Sequence, residues 1–188
     1  MKTKITSLLL AVMALISFSG IAQSQAPPFK GEVKLDVRDS KADWAPFIRK
    51  KAPEGSPNIL FILYDDTGLA AWSPYGGRIN MPTMDKLAAD GLTYTQWQTV
   101  ALCSPTRSCI NTGRNHNLNG MGAITEGANG FPGYSCQLPA QAATMAQILN
   151  DNGWSTFWLG KDHNVPETDL SAGANKSQWP LQQGYDRF

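Results

Sequence analysis

The sequence at positions 58–68 reads Asn-Ile-Leu-Phe-Ile-Leu-Tyr-Asp-Asp-Thr-Gly, and this stretch decides the fold class. Its apolar and aromatic run is bounded by Pro57 on one side and by Asp-Asp-Thr-Gly on the other. Such a run predicts a strand that is buried on both faces of a parallel sheet. Ligands of these sheets gather at the carboxyl ends of the strands, which makes Asp65 and Asp66 candidate functional residues.

Helix and strand signals alternate further along the chain. Apolar positions within 82–90 have helical spacing and stop at Gly91, which predicts a short helix with a glycine C-terminal cap. Thr, Tyr and Trp alternate within 92–100 and predict a second strand. A further helix is predicted at about 140–150 and a third strand at 154–159. This order predicts a doubly wound α/β layer.

The composition excludes two broad classes of protein. The 188 residues are 42% hydrophobic and 16% charged, which is too much apolar surface for a disordered tail. Lys and Arg number 16 and Asp and Glu number 15, so the formal net charge is +1. Because no basic surplus is available to neutralise phosphates, we expect no nucleic-acid partner.

The amino-terminal residues 1–26 have the features of a secretory signal peptide. Lys2 and Lys4 precede a mostly apolar stretch, and Ser-Gln-Ala at 24–26 supplies a small-residue cleavage site. The apolar stretch is shorter than the ~18 residues that a membrane span needs, so we expect cleavage after this triplet and no stable membrane insertion. The protein is therefore predicted to be exported, to the periplasm or outside the cell. Residues 27–57 are polar and rich in proline, and they predict an extended arm that leads into a domain at 58–188.

The most informative pattern is Cys-Ser-Pro-Thr-Arg-Ser-Cys-Ile-Asn-Thr-Gly at 103–113. Pro105 suits the first turn of a helix and Gly113 suits its end. Cys103 is then at the amino terminus, where free N–H groups and the helix dipole favour a negatively charged nucleophile. Arg107 lies four residues on, and hence on the same face. By themselves the residues also allow a buried structural cysteine and an ordinary helix ion pair.

Three cysteines and two histidines limit the metal chemistry. No Cys-x-x-Cys spacing occurs, so a thiolate zinc site is not expected. Asp65 and Asp66 repel each other unless a cation or several N–H donors neutralise them, and oxygen ligands favour Ca²⁺ or Mg²⁺. Ordinary turn chemistry is the alternative for this pair. A second group of charged and titratable residues, Lys-Asp-His at 161–163, follows the third predicted strand. The other histidine, His116, is interpreted as a loop or helix-end residue.

Together these residues resemble the sulfatase family of the alkaline-phosphatase-like superfamily. The resemblance covers nearly everything from Pro57 to Phe188. It rests on the stretch at 58–68, Met-Pro-Thr-Met-Asp-Lys-Leu-Ala-Ala-Asp-Gly at 81–91, Cys-Ser-Pro-Thr-Arg at 103–107, Thr-Gly-Arg at 112–114 and Gly-Lys-Asp-His at 160–163. It implies an α/β, alkaline-phosphatase-like three-layer sandwich with a mostly parallel sheet, present here only in part.

The resemblance also implies a nucleophile and a cation. Cys103 is the position that the family oxidises to Cα-formylglycine, through a formylglycine-generating or an anaerobic sulfatase-maturating enzyme. Ca²⁺, or alternatively Mg²⁺, is implied as the ligand of Asp65, Asp66 and residue 103. A hydrated aldehyde carries two hydroxyl groups on one carbon, so one can attack sulfur and the other can release sulfate without attack by water at sulfur. The other thiols, Cys109 and Cys136, are then either paired or simply buried.

The remaining roles also follow from the resemblance. Arg107 is implied to orient and stabilise the ionised hydrate, Lys161 to bind a sulfate oxygen, and His163 to accept the hydroxyl proton. His163 lies two residues after Lys161, so we expect both side chains on the same side of an extended segment. Asp162 stands where the family more commonly has an aromatic residue, and we expect its carboxylate to point away from the site.

The expected substrate is a small-molecule or glycan sulfate ester. The stretches at 122–126 and 131–134 resemble exported bacterial arylsulfatases most. A formylglycine-dependent phosphonate or phosphate ester hydrolase and a non-catalytic exported sulfate-binding remnant are the alternatives. Family members are longer, and further metal and sulfate ligands come from their downstream segments. The chain is therefore interpreted as an amino-terminal fragment that is inactive alone.

Overall fold

A computed structural model describes residues 27–188, so the predicted signal peptide at 1–26 lies outside the described residues. The described residues divide into two compact units, with the boundary between Arg49 and Lys50. The proposed start of the catalytic domain after residue 57 stays a prediction.

The described part of the first unit contains local structure only. Glu32 and Lys41 form an isolated antiparallel bridge, with N···O distances of 2.9 and 2.8 Å. A 3-10 turn, Val37–Asp39, lies between them, and the Asp36 carboxylate caps it by accepting the Arg38 backbone N–H. The segment that the sequence predicts as an extended arm thus contains a small hydrogen-bonded turn.

Three α-helices lie in the second unit, within its described residues: α1 (Pro82–Asp90), α2 (Cys103–Thr112) and α3 (Met145–Asp151). The helix predicted at 82–90 is confirmed, although Gly91 is extended at φ −127° rather than left-handed. No helix among residues 27–188 is long and apolar enough to cross a membrane. Short 3-10 turns connect the remaining chain: Leu69–Ala71, Ser73–Tyr75, Thr125–Gly127, Glu167–Asp169 and Pro180–Gln183.

The helix predicted at about 140–150 begins later than expected, at Met145. Its start is set by a capping box, in which the Gln147 N–H donates to Thr144 Oγ1 (3.0 Å) and the Thr144 N–H donates to Gln147 Oε1 (2.9 Å). These reciprocal bonds satisfy N–H groups that have no partner inside the helix, so the helix begins where they form.

The three predicted strands do not form ladders in the described chain. Residues 58–64 and 92–100 contain no paired strand residue, and 154–159 contain one bridge residue, Phe157. A strand receives its backbone hydrogen bonds from its neighbours, so an apolar pattern alone cannot produce one. Two isolated parallel bridges occur in this unit: Trp72 with Ile79 and Phe157 with Arg187.

The apolar run at 58–64 is correspondingly exposed, which contradicts the prediction that both of its faces are buried. Leu60 is 81% exposed and Phe61 is 62% exposed. Much of the run faces residues 154–159 across a cleft of about 430 Å³. The two segments therefore line the same cleft but do not pair across it.

Helix α2 is the best buried element and positions the rest of the site. Its buried residues are mostly polar and bond to distant segments: Tyr185 Oη donates to Asn111 Oδ1 (2.9 Å), and Asn164 Nδ2 donates to the Ser104 carbonyl (2.9 Å). A small apolar cluster is also buried: Met121, Cys136 and Leu138. The helix is thus fixed from several sides, and its amino terminus is held in place.

Candidate active site

Cys103 lies at the first position of α2, as the sequence predicts. Leu102 before it is extended, and the helix ends at Gly113 with φ +66°, the left-handed conformation that glycine adopts without a steric penalty. The Cys103 Sγ atom lies 4.0 Å from Asp66 Oδ1 and 3.5 Å from Lys161 Nζ. The half-buried thiol therefore faces both a carboxylate and a cation.

Asp65 and Lys161 meet although they are far apart in the sequence. Lys161 Nζ lies 2.8 Å from Asp65 Oδ2, and the Arg107 Nη2 atom lies 3.0 Å from Asp65 Oδ1. The hydrogen bond from Lys161, followed by that from Arg107, lowers the pKa of Asp65 to about 2. The same contact with Asp65 raises the pKa of Lys161. Both groups therefore stay charged over a wide pH range.

Arg107 joins the two loops that follow the predicted first and third strands. It is only 5% exposed, and its Nη1 atom donates to the Lys161 carbonyl (2.8 Å) while Nη2 bonds Asp65. A planar guanidinium can make both bonds at once, whereas a lysine ammonium on a flexible stem fits this geometry less well. Arg107 thus fixes the positions of Asp65 and Lys161 relative to each other, near the start of α2.

The donor atoms of Asp65, Asp66 and Cys103 form a cluster within which all lie less than 4.8 Å apart. Asp66 has a left-handed backbone at φ +49°, so the chain turns sharply directly after Asp65. Carboxylate oxygens are the ligands that Ca²⁺ and Mg²⁺ prefer, whereas a thiol sulfur is a soft ligand. The two carboxylates of the cluster therefore suit a hard dication, whereas the thiol does not.

His163 bonds to Glu126, and its role as a proton acceptor stays a prediction. Its Nε2 atom lies 2.9 Å from both carboxylate oxygens of Glu126, and no hydrogen bond joins it to Cys103 within the described chain. His163 has φ +55°, so the extended geometry that would place its side chain beside Lys161 ends there. The structure thus brings Asp65, Asp66, Cys103, Arg107 and Lys161 together and pairs His163 with Glu126.

Glu126 is the residue of this region that sequence reasoning missed. It lies within the stretch 122–126 that resembles arylsulfatases, but no local pattern pairs it with His163, 37 positions away. Its turn, Thr125–Gly127, is tied to α2 because the Thr125 N–H donates to Ser104 Oγ (3.3 Å). A backbone hydrogen bond, followed by the bond to His163, lowers the pKa of Glu126.

Asp162 turns away from solvent. Its Oδ2 atom is buried and has no hydrogen-bond partner among the described residues. Burial raises the pKa of Asp162 to about 6, although the Asn164 N–H and the charges of Arg107 and His163 act in the opposite direction. The carboxylate therefore occupies an unfavourable position between two residues of the site.

The remaining thiols and the second histidine have structural surroundings. All three cysteines are free, so Cys109 and Cys136 do not form a disulfide in this structure. Cys136 is fully buried, and burial raises its pKa. His116 lies just beyond α2, and its Nδ1 atom is 3.0 Å from the Met121 carbonyl, which agrees with its interpretation as a helix-end residue.

The similarity to known proteins includes the residues of this cluster. The model of the sulfatase family matches residues 57–188, which include the entire cluster around Cys103. The chain belongs to the sulfatase family. This membership implies an alkaline-phosphatase-like α/β fold, of which the described chain contains the helices and few paired backbone segments.

Individual sulfatases are similar over most of this chain. Human steryl-sulfatase is 36% identical over 135 residues, which cover 70% of this chain and 23% of that protein. Human arylsulfatase D is 34% identical over 146 residues, covering 74% and 24%. The arylsulfatase of Klebsiella aerogenes is 33% identical over 114 residues, covering 60% and 25%. The chain thus spans about a quarter of the length of these curated relatives.

Proposed function

We propose that this chain contains the nucleophile and neighbouring residues of an arylsulfatase-type active site that hydrolyses sulfate monoesters. The observation that supports this most is the position of Cys103. Its Sγ atom lies at the start of α2, 3.5 Å from Lys161 Nζ and 4.0 Å from Asp66 Oδ1. A nucleophile in this position has a cation beside it for the anionic substrate and a carboxylate beside it for a metal ion.

The charges of the site suit an anionic ester. Asp65 and Asp66 carry two negative charges, and Arg107 and Lys161 carry two positive charges, so the net charge of these four side chains is zero. Asp65 and Asp66 would hold a dication, which would supply the excess positive charge that an anionic ester needs. Ca²⁺ is the proposed ion, with Mg²⁺ as the alternative, because the carboxylate ligands are hard oxygen donors.

Each side chain has a proposed role. Lys161 binds a sulfate oxygen, and Arg107 orients and stabilises the ionised hydrate at position 103. Cα-formylglycine at position 103, formed by a maturating enzyme, supplies a hydrate with two hydroxyl groups. His163 accepts a proton. The proposed substrate is a small-molecule or glycan sulfate ester. The proposed location is the periplasm or the cell exterior.

We expect the isolated 188-residue polypeptide to be inactive. Its described site offers two exposed carboxylates and residue 103 to the cation, whereas Ca²⁺ takes about six to eight oxygen ligands. The exposed apolar segment at 58–64 leaves Asp65 and Asp66 on a poorly supported loop. Hydrolysis of an aryl sulfate by this polypeptide at an ordinary enzymatic rate would contradict this expectation.

Mass spectrometry tests the nucleophile directly. Trypsin releases Cys103 in peptide 87–107 and Cys109 in peptide 108–114. After coexpression with a formylglycine-generating enzyme, the first peptide should lose about 18 Da, whereas ordinary thiol oxidation adds mass. Peptide 108–114 is the internal control and should keep its thiol. An unmodified Cys103 would favour a non-catalytic sulfate-binding protein.

Hydrolysis tests the activity itself. The product of the whole open reading frame that encodes this chain, made with the maturating enzyme, should hydrolyse 4-nitrophenyl sulfate. Cys103→Ala should abolish this hydrolysis, whereas Cys109→Ala, the matched control, should retain it. Equal rates for the unmodified protein and Cys103→Ala would refute the proposed nucleophile.

A further inference from the structure

The pair formed by His163 and Glu126 differs from an ordinary surface ion pair in its geometry and burial. Both Glu126 carboxylate oxygens lie 2.9 Å from the same ring nitrogen, Nε2. The His163 side chain is 17% exposed and that of Glu126 is 48% exposed. The Thr125 N–H bonds Ser104 Oγ, directly after Cys103, so the turn that carries Glu126 is tied to the start of α2.

The chemistry of a carboxylate determines which ring nitrogen carries the proton. An ionised carboxylate only accepts hydrogen bonds, and the bond from His163 is among the causes that lower the pKa of Glu126. The nitrogen that faces it, Nε2, must therefore be the donor. In a neutral imidazole the other nitrogen, Nδ1, then holds the lone pair.

The Nδ1 atom of His163 is buried and lacks a hydrogen-bond partner among the described residues. Buried polar atoms normally have a partner, because leaving one unpaired destabilises the fold. This unpaired acceptor belongs to a residue that lies two positions after Lys161 and directly before Asn164, whose side chain bonds the Ser104 carbonyl. Nδ1 is the only nitrogen of the His163 ring that Glu126 leaves free.

We propose that Glu126 is a positioning residue that fixes His163 in the Nε2–H tautomer and thereby makes Nδ1 the proton-accepting atom. The tautomer follows from the contacts, and the use of Nδ1 in the reaction rests on the proposed function. When Nδ1 takes a proton from a hydroxyl group, the bonding electron pair stays on that oxygen. The Glu126 carboxylate balances the charge of the imidazolium that results.

His116 provides an internal comparison with the opposite geometry. Its Nδ1 atom lies 3.0 Å from the Met121 carbonyl, which can only accept. In the neutral ring, Nδ1 of His116 therefore carries the proton and Nε2 holds the lone pair, the reverse of His163. Because these are the only two histidines in the sequence, the chain should contain one imidazole of each tautomer.

Nitrogen-15 NMR of the histidine rings tests the tautomers in the 188-residue chain without substrate, metal or maturation. Spectra are recorded at about pH 9, where imidazole rings are ordinarily neutral. The wild type should show His163 as Nε2–H and His116 as Nδ1–H, with His116→Gln used for assignment. A wild-type spectrum with His163 as Nδ1–H would overturn the proposal without any variant.

Variants of the carboxylate test whether Glu126 causes this preference. An amide can both donate and accept, so Glu126→Gln should convert the His163 signals to a mixture of tautomers and leave His116 unchanged. Glu126→Asp should retain part of the preference. Glu167→Gln, which alters an exposed carboxylate that lines the same pocket as Glu126, is the matched control and should change neither ring. Unchanged His163 signals in a folded Glu126→Gln chain would refute the proposal.

Activity separates this inference from the proposed function. In the active, matured protein, Glu126→Gln should lower kcat about 10- to 100-fold with little change in KM, as for other partners that orient a functional histidine. Full activity of Glu126→Gln would refute the positioning role. If the matured wild-type protein hydrolyses no sulfate ester, the proposed function fails, while the NMR result still decides the tautomer.

Discussion

Replacing Asp162 with asparagine should remove a buried charge that destabilises the folded chain. The carboxyl pKa is about 6 in the fold against an ordinary 3.8. A tenfold change in proton affinity corresponds to about 1.4 kcal/mol, so ionisation of Asp162 costs the folded state about 3 kcal/mol at neutral pH. This cost arises because Oδ2 is buried without a partner in the described chain.

The sign of the pH dependence follows from the same two values. Between about pH 4 and pH 6 the folded chain keeps a proton that the unfolded chain releases, so stability falls as pH rises through this window. Above about pH 6 both states are ionised and the loss is complete. Asp162→Asn cannot ionise and should lack this fall in stability.

Urea unfolding of both proteins at about pH 4 and about pH 8 measures the effect. The free-energy difference between Asp162→Asn and wild type should shift by about 2.5 kcal/mol in favour of the variant between these pH values, because the unfolded carboxyl is already partly ionised at pH 4. Asp90→Asn changes an exposed aspartate at the end of α1 and is the matched control. A difference that is the same at both pH values would show that Asp162 is solvated or paired, and would refute the reasoning.

Three further predictions concern the thiols and the helix ends. All three thiols should react with a thiol reagent in denaturant. In the folded chain Cys136 should react far more slowly than the other two, because it is fully buried and its pKa is raised. A single reactive thiol in non-reducing denaturant would instead reveal a disulfide. Thr144→Ala should lower the free energy of unfolding by about 1 kcal/mol, and Thr144→Ser should restore it, since the capping box needs only the hydroxyl; equal unfolding curves for all three proteins would exclude the box. Gly113→Ala should cost about 1–2 kcal/mol because its φ is +66°, whereas Gly173→Ala, also in open space but without a positive φ, should cost little; thermal unfolding that does not separate the two variants would contradict this.

Local signals predicted the helices well. Pro105 and Gly113 gave the beginning and end of α2 correctly, because proline fits a first helical turn and glycine accepts the left-handed cap. The later start of α3 also had a local cause, the spacing of Thr144 and Gln147, which the sequence analysis did not use. Such features are encoded within a few residues and do not depend on distant contacts.

The segment at 58–64 shows the limit of local patterns. Its apolar run predicts a buried strand, yet Leu60 and Phe61 are mostly exposed and the segment pairs with no strand in the described chain. A helix satisfies its own backbone, whereas a strand depends on N–H and C=O groups from neighbours that lie elsewhere in the sequence. The residue pattern therefore indicates what a strand needs but not whether its partners are present.

The sequence by itself determined the family, the helix that begins at Cys103 and the candidate residues Asp65, Asp66, Arg107 and Lys161, because these depend on residue type and short-range spacing. Only the tertiary structure decided that one guanidinium joins Asp65 to the Lys161 backbone and that the imidazole two residues later turns to Glu126. These contacts join segments far apart in the chain. Their directions depend on backbone turns and burial, which no local spacing encodes.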